Sequence, residues 1–142
     1  MPADHAILLP LLAMVALTFA AGIRMYLARV SEMKRRRIHP EKVRTRAELA
    51  GQLTDTRASD HWMNLFELPV LFYVGVLVAW AIGAGSGWIL GLAWAFVATR
   101  VVHTLIQLTV NRVMWRFYAF IAGFVVLLGM WMLLAVELLS LP

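Results

Sequence analysis

The 142-residue sequence has no cysteine, which excludes disulfides, thiolate metal ligands and a cysteine nucleophile. Any thiol chemistry must therefore use a thiol brought by a ligand. Charge is scarce as well: 15% of the residues are Asp, Glu, Lys or Arg, against about a quarter in an ordinary soluble domain. The alternating ten-residue segments of a transmembrane barrel are missing, and so is the Gly-x-Ser-x-Gly elbow of a serine hydrolase. Four histidines, His5, His39, His61 and His103, are scattered with no pair at helical spacing, so no metal site is expected. No internal repeat is evident.

Apolar sequence fills the space. Hydrophobic residues make up 62% of the chain, and the mean hydropathy is +0.77. Four apolar runs, about 7–30, 61–82, 88–109 and 117–139, reach the length of about 20 residues that a helix needs to cross a bilayer. The expected fold is all-α, an integral membrane four-helix bundle forming one domain over 1–142. The first run starts with Asp4 and His5 instead of a basic cluster, and no cleavage site and soluble domain follow it, so it is read as a retained helix.

Most of the charge lies in the segment 31–60, where Lys34, Arg35, Arg36, Arg37, Lys42, Arg44, Arg46 and Arg57 outnumber the acids. Arg112 and Arg116 fall on the same side, whereas "GAGSG" after the second run is uncharged. The positive-inside rule makes the basic side cytoplasmic and places both termini outside, as in a bacterial inner membrane. The net charge of +5 is then a topology signal with some attraction to anionic membrane lipids, and nucleic acid is not an expected partner. Within the loop, Pro40 and "EKVRTRAEL" predict a short cytoplasmic helix. Gly75, Ala79 and Gly83, and then Gly87 and Gly91, would let helices approach closely.

The residues that fit least well in lipid carry the functional argument. At helical spacing Arg57, Asp60, Asn64 and Glu67 share one stripe, and Arg100, His103, Gln107 and Asn111 share another. An ionised side chain at the centre of a bilayer costs roughly 2.5–3.5 kcal/mol on insertion scales. Arg100 therefore needs an internal partner, with Glu67 or another acid as the candidate. These groups can simply satisfy one another. Arg24, Arg100, Arg112 and Arg116 nonetheless exceed Glu67 and Asp60, and surplus arginine suits an anionic ligand. Glu137 reads as a lone interfacial carboxylate. A transporter fits less well, since no span carries an evident broken-helix signal.

The stretch "NLFELPVLFY" resembles the Asn-x-x-Glu, followed shortly by Pro, of the MAPEG superfamily, the membrane-associated proteins in eicosanoid and glutathione metabolism. The stretch "RVVHTLIQLTVNRVMWR", with Arg100-x-x-His103 and Arg112-x-x-x-Arg116, is similar to the prostaglandin E synthase and microsomal glutathione transferase branch. The resemblance implies a homotrimer that holds glutathione as cosubstrate between subunits near the cytoplasmic face, while a lipophilic small-molecule substrate arrives from the bilayer. By position, Arg24, Asn64, Glu67, Arg100 and His103 would contact glutathione, Arg112 would bind its acidic groups and Arg116 would activate the thiol.

Three positions depart from that pattern. Asp60 stands where the resemblance implies arginine, and Gln107 and Phe120 stand where it implies tyrosine. Two readings follow: a glutathione-dependent transferase or peroxidase, or a relative that has lost the chemistry and serves as a lipid-binding or accessory subunit beside a membrane-protein partner.

Overall fold

A computed structural model describes residues 2–39, 41, 43–53, 55–85 and 87–140, and every regular element in it is helical. Pro40, Lys42 and Ser86 lie outside the described residues. A 3₁₀ turn, Pro2–Ile7, leads into α1 (Leu8–Arg36); α2 (Arg46–Gln52), α3 (Arg57–Asn64), α4 (Leu68–Ala81), α5 (Gly87–Leu108) and α6 (Val113–Ser140) follow. Four helical stretches, 5–36, 57–81, 87–108 and 113–140, are long and apolar enough to cross a membrane. This is an integral, multi-pass, four-helix membrane fold.

The bundle has a thin interior. Met14, Phe72, Val76, Ala79, Ala93, Phe96 and Met130 are fully buried, and the Phe72 and Phe96 rings stack with centroids 4.7 Å apart. Outside this seam, residues such as Phe19, Tyr26, Leu105, Val125 and Leu139 are exposed. Water would penalise that surface, but lipid is as apolar as the side chains, so close packing holds the helices together. Gly75 serves the packing: a Cβ there would lie 2.5 Å from Met130 Cε. Ala79, one turn on, is fully buried in the same seam. Among the described residues a Cβ at Gly83, Gly87 or Gly91 would meet nothing within 4 Å, and Gly83 and Gly87 instead adopt φ of +71° and +61° at the ends of the α4–α5 connection.

α1 continues past the predicted boundary near 30 because its last turn is rich in helix formers, and Lys34, Arg35 and Arg36 complement the helix dipole. It stops at Arg37, whose left-handed φ of 56° lets the Ile38 N–H reach the Met33 carbonyl at 3.0 Å. The short helix predicted in the loop exists, but it starts later than "EKVRTRAEL" suggested. Thr45 sets its start through a capping box with Glu48.

The second span differs most from expectation. Where the sequence suggests one helix over about 61–82, the chain forms α3 and α4 with a turn over 65–67. Pro69 explains the turn, because it has no N–H to give the Leu65 carbonyl and its ring would clash with that carbonyl in a continuous helix. The remaining bonds tighten to a three-residue pitch, with Phe66 N–H to the Met63 carbonyl at 3.0 Å and Glu67 N–H to Asn64 at 3.5 Å. Pro69 was thus the missed broken-helix signal. Glu67, at φ −97° and ψ −99°, leaves the helical stripe that Asp60 and Asn64 continue to share.

Successive spans run antiparallel, so the α1–α3 loop and the α5–α6 turn meet at one end. Arg57 fastens them: its Nε and Nη2 grip Asp55 at 2.9 and 2.6 Å, while its Nη1 donates to the Thr109 carbonyl at 3.1 Å. The side-chain hydrogen bonds from Arg57 hold the Asp55 carboxyl down at about 2. Both partners are partly exposed, so solvent screens the pair and its contribution to stability is small. Because the folded pKa lies below the unfolded one, the contribution is complete above about pH 4 and is lost as pH falls towards 2. The difference in denaturation midpoint between the native chain and Asp55→Asn should accordingly vanish across that window. A difference that stays constant down to pH 2 would contradict this account.

Candidate functional site

Where α3, α5 and α6 converge, a group of polar side chains lies inside the apolar bundle. Arg100 is its centre, 1% exposed. Its guanidinium carbon sits 5.4 Å from the Phe96 ring centroid and 5.5 Å from that of Phe120. Gly123 leaves the room for it, since a Cβ there would stand 2.6 Å from Arg100 Nη2 and 2.9 Å from Thr99 Oγ1. Aromatic faces attract a desolvated cation by about 2 kcal/mol. They accept no conventional hydrogen bond, however, and among the described residues Arg100 Nε and Nη2 are buried with no hydrogen-bond partner.

The expected ion pair is not made. Among the described residues no acid pairs with Arg100, and Glu67 acts on it only across space. The break before Pro69 accounts for this, because it turns Glu67 to the exposed surface of the protomer.

Beside Arg100 runs a short relay. Asn64 Nδ2 donates to Gln107 Oε1 at 3.2 Å, and the same oxygen lies 3.3 Å from His61 Nδ1. His61 and His103 are buried with ring centroids 5.9 Å apart, and the His103 ring lies 6.4 Å from that of Phe120. Among the described residues His61 Nε2 and Gln107 Nε2 have no hydrogen-bond partner. A proton on His61 Nδ1 would complete the bond to Gln107 and leave Nε2 as a free acceptor.

The other sequence-predicted residues lie further out. Arg116 is half-buried at the start of α6 and donates from Nη1 to Asn111 Oδ1 at 3.0 Å. Asn111 can take that position because its own φ is 49°, a left-handed value that asparagine tolerates at a helix end. Arg112 is exposed, its guanidinium 5.5 Å from the Trp115 ring. Arg24 is exposed on α1 in a shallow groove with Arg35 and Asp55. The fold thus gathers Asn64, Arg100, His103 and Gln107, sets Arg116 at their margin, and leaves Glu67, Arg112 and Arg24 on the surface.

Sequence reasoning missed His61, which it took as one of several scattered histidines. The signal was its spacing: His61 and Asn64 are three apart on α3, and His103 and Gln107 four apart on α5, so each pair shares a face.

A comparison with protein-family models matches residues 7–136 to the MAPEG family. The chain belongs to the MAPEG family. Neither curated protein sequences nor solved structures gave a match. In this MAPEG chain the family match spans all four membrane helices and the polar group between them.

The close fit around Arg100 can be tested through glycine. Gly123→Val should displace the guanidinium and lower the thermal midpoint by several degrees, as overpacking in a dense interior costs about 1–3 kcal/mol. Gly129→Ala is the control, since its nearest neighbour, Leu92 Cδ1, would lie at 3.9 Å. Equal effects of the two substitutions would mean that Arg100 is not tightly held.

Proposed function

We propose that this MAPEG protein is a glutathione-dependent transferase or peroxidase for lipophilic substrates, working as a homotrimer with glutathione bound between copies towards the basic, cytoplasmic side of a bacterial inner membrane. The observation that carries the reading is Glu67. It is exposed on the protomer at a break in a membrane span, and it has no ion-pair partner among the described residues. A carboxylate facing lipid there is costly. A neighbouring copy together with the amino group of a peptide-like ligand would cover it.

The residues at hand suit that ligand in part. Glu67 can accept from an ammonium, and Asn64 retains acceptor capacity. Arg116 spends one donor on Asn111 and keeps the rest of its planar fork. A free thiol of pKa about 8.5 is mostly protonated at neutral pH, and each unit of depression requires about 1.4 kcal/mol. Arg116, beside the thiol, would favour the thiolate through its charge. A thiolate so formed can attack an electrophilic carbon and displace its leaving group, or attack a peroxide oxygen and break the O–O bond. The alkoxide then takes a proton to leave as the alcohol, and the sulfenic acid condenses with a second glutathione to give the disulfide and water. Arg100 is enclosed, so it would act through position and field.

A second reading has its own observation. Gln107 is already engaged with Asn64 and His61 inside the protomer, and Phe120 offers a ring where a hydroxyl would order the ligand. These bonds are made within the chain and without a ligand, which favours an accessory or lipid-binding subunit.

Glutathione titrated into the purified, reconstituted protein, followed by ultraviolet absorbance of the thiolate, separates the two. The enzyme reading expects binding and thiolate formation by a species of trimeric mass. Glu67→Gln should weaken binding about tenfold, equivalent to about 1.4 kcal/mol. Arg116→Ala should leave most of the binding and abolish the thiolate signal, and Arg116→Lys should restore only part of it. No binding by the native chain would sink the enzyme reading and leave the accessory one.

A further inference from the structure

On the basic-loop side, away from the Arg100 group, the end of α1, the short helix α2 and α3 enclose a cavity of about 260 Å³. Its wall has two characters. Met25, Leu49, Leu53 and Trp62 make it apolar, and Arg29, Ser59 and Asp60 add polar groups. At about 100° per residue, α3 turns Ser59 and Met63 towards this cavity and His61 towards α5, so the two polar regions use different faces of one helix.

The charges in the cavity are incompletely used. Arg29 donates from Nη2 to Ser59 Oγ at a long 3.4 Å, and among the described residues its buried Nε has no acceptor. Asp60 accepts from Thr56 Oγ1 at 2.9 Å and is otherwise exposed. Although both line the same cavity, Arg29 and Asp60 form no ion pair among the described residues. One cation and one anion held apart across a part-apolar space match a ligand with the reverse arrangement of charge. The cavity also lies where the apolar span of α1 gives way to the basic segment, and its wall includes Trp62, a residue type enriched at membrane interfaces.

We propose that this cavity binds the head of a zwitterionic phospholipid bearing a primary ammonium, as in phosphatidylethanolamine, with the phosphate at Arg29 and Ser59 and the ammonium at Asp60. Arg29 supplies the charge-assisted donors that a phosphate accepts. A primary ammonium has N–H donors for Asp60, which the quaternary ammonium of phosphatidylcholine lacks. Asp60 also repels a head whose only charge is negative, so phosphatidylglycerol is discriminated against. Leu53 and Trp62 receive the first apolar part of the lipid. The inference stands independently of any thiol chemistry in the protein.

The test is lipid binding by native mass spectrometry on the delipidated full-length protein, titrated with phosphatidylethanolamine, phosphatidylcholine, phosphatidylglycerol and soluble phosphoethanolamine. Phosphatidylethanolamine should bind about tenfold more tightly than the other two lipids, a difference of about 1.4 kcal/mol. Asp60→Asn should lower its binding and raise that of phosphatidylglycerol, so that the preference narrows or reverses, an effect that a merely structural role would not give. Arg29→Gln should weaken both, and Arg29→Lys should keep the native order. Leu53→Trp should reduce binding of all three lipids by filling the apolar wall. Equal binding of phosphatidylethanolamine and phosphatidylcholine, or an unchanged lipid preference in Asp60→Asn, would overturn the proposal. So would phosphoethanolamine binding as tightly as the lipid, because the cavity would then serve a soluble zwitterion.

Discussion

Burying Arg100 inside a bundle surrounded by lipid requires its charge to be met by something other than water, and the two rings beside it do so only in part. Much of the nearby sequence follows from that demand. α6 must offer a glycine at 123 so that the guanidinium fits, and α5 and α6 must each supply an aromatic face. The relay of Asn64, Gln107 and His61 lies beside the cation and supplies it no carboxylate. A buried positive field therefore persists at the heart of the molecule, and acidic or electron-rich groups nearby lie under its influence.

The proline-induced break in the second span works in the same region with the opposite sign. A continuous helix would keep Glu67 on the stripe of Asn64, within easy reach of the α5 side chains. The turn over 65–67 sends it outward instead. One positive group is thus kept inside the bundle and one negative group is presented on its surface. A carboxylate on a lipid-facing surface is costly, so the same proline that frees Glu67 from the interior also sets a charge where the bilayer tolerates it least.

The number of spans, the helical class and the short helix in the loop could all be read from the sequence, because hydropathy and helix length are nearly the same property in a bilayer. The break could have been read from Pro69 but was not, since a proline near the start of an apolar run is ambiguous until the carbonyl it deprives is identified. Of the candidate site, helical spacing brought out Asn64, Arg100, His103 and Gln107. It could not show that rings would flank Arg100, because Phe120 lies on another helix and the contact depends on how α5 and α6 face each other. The Arg29 and Asp60 cavity was equally out of reach, as it exists only once α2 folds back over α1 and α3.

The bond from Arg57 to the Thr109 carbonyl joins positions on either side of the second and third spans. Residue 109 leaves the ribosome well after residue 57, so the bond can close only when both spans have entered the bilayer as a hairpin. It also occupies a carbonyl at the open end of α5 that no later turn of helix would satisfy. During synthesis the middle pair of spans can therefore be latched on the loop side before α6 is complete, leaving the last helix to dock onto a preformed platform.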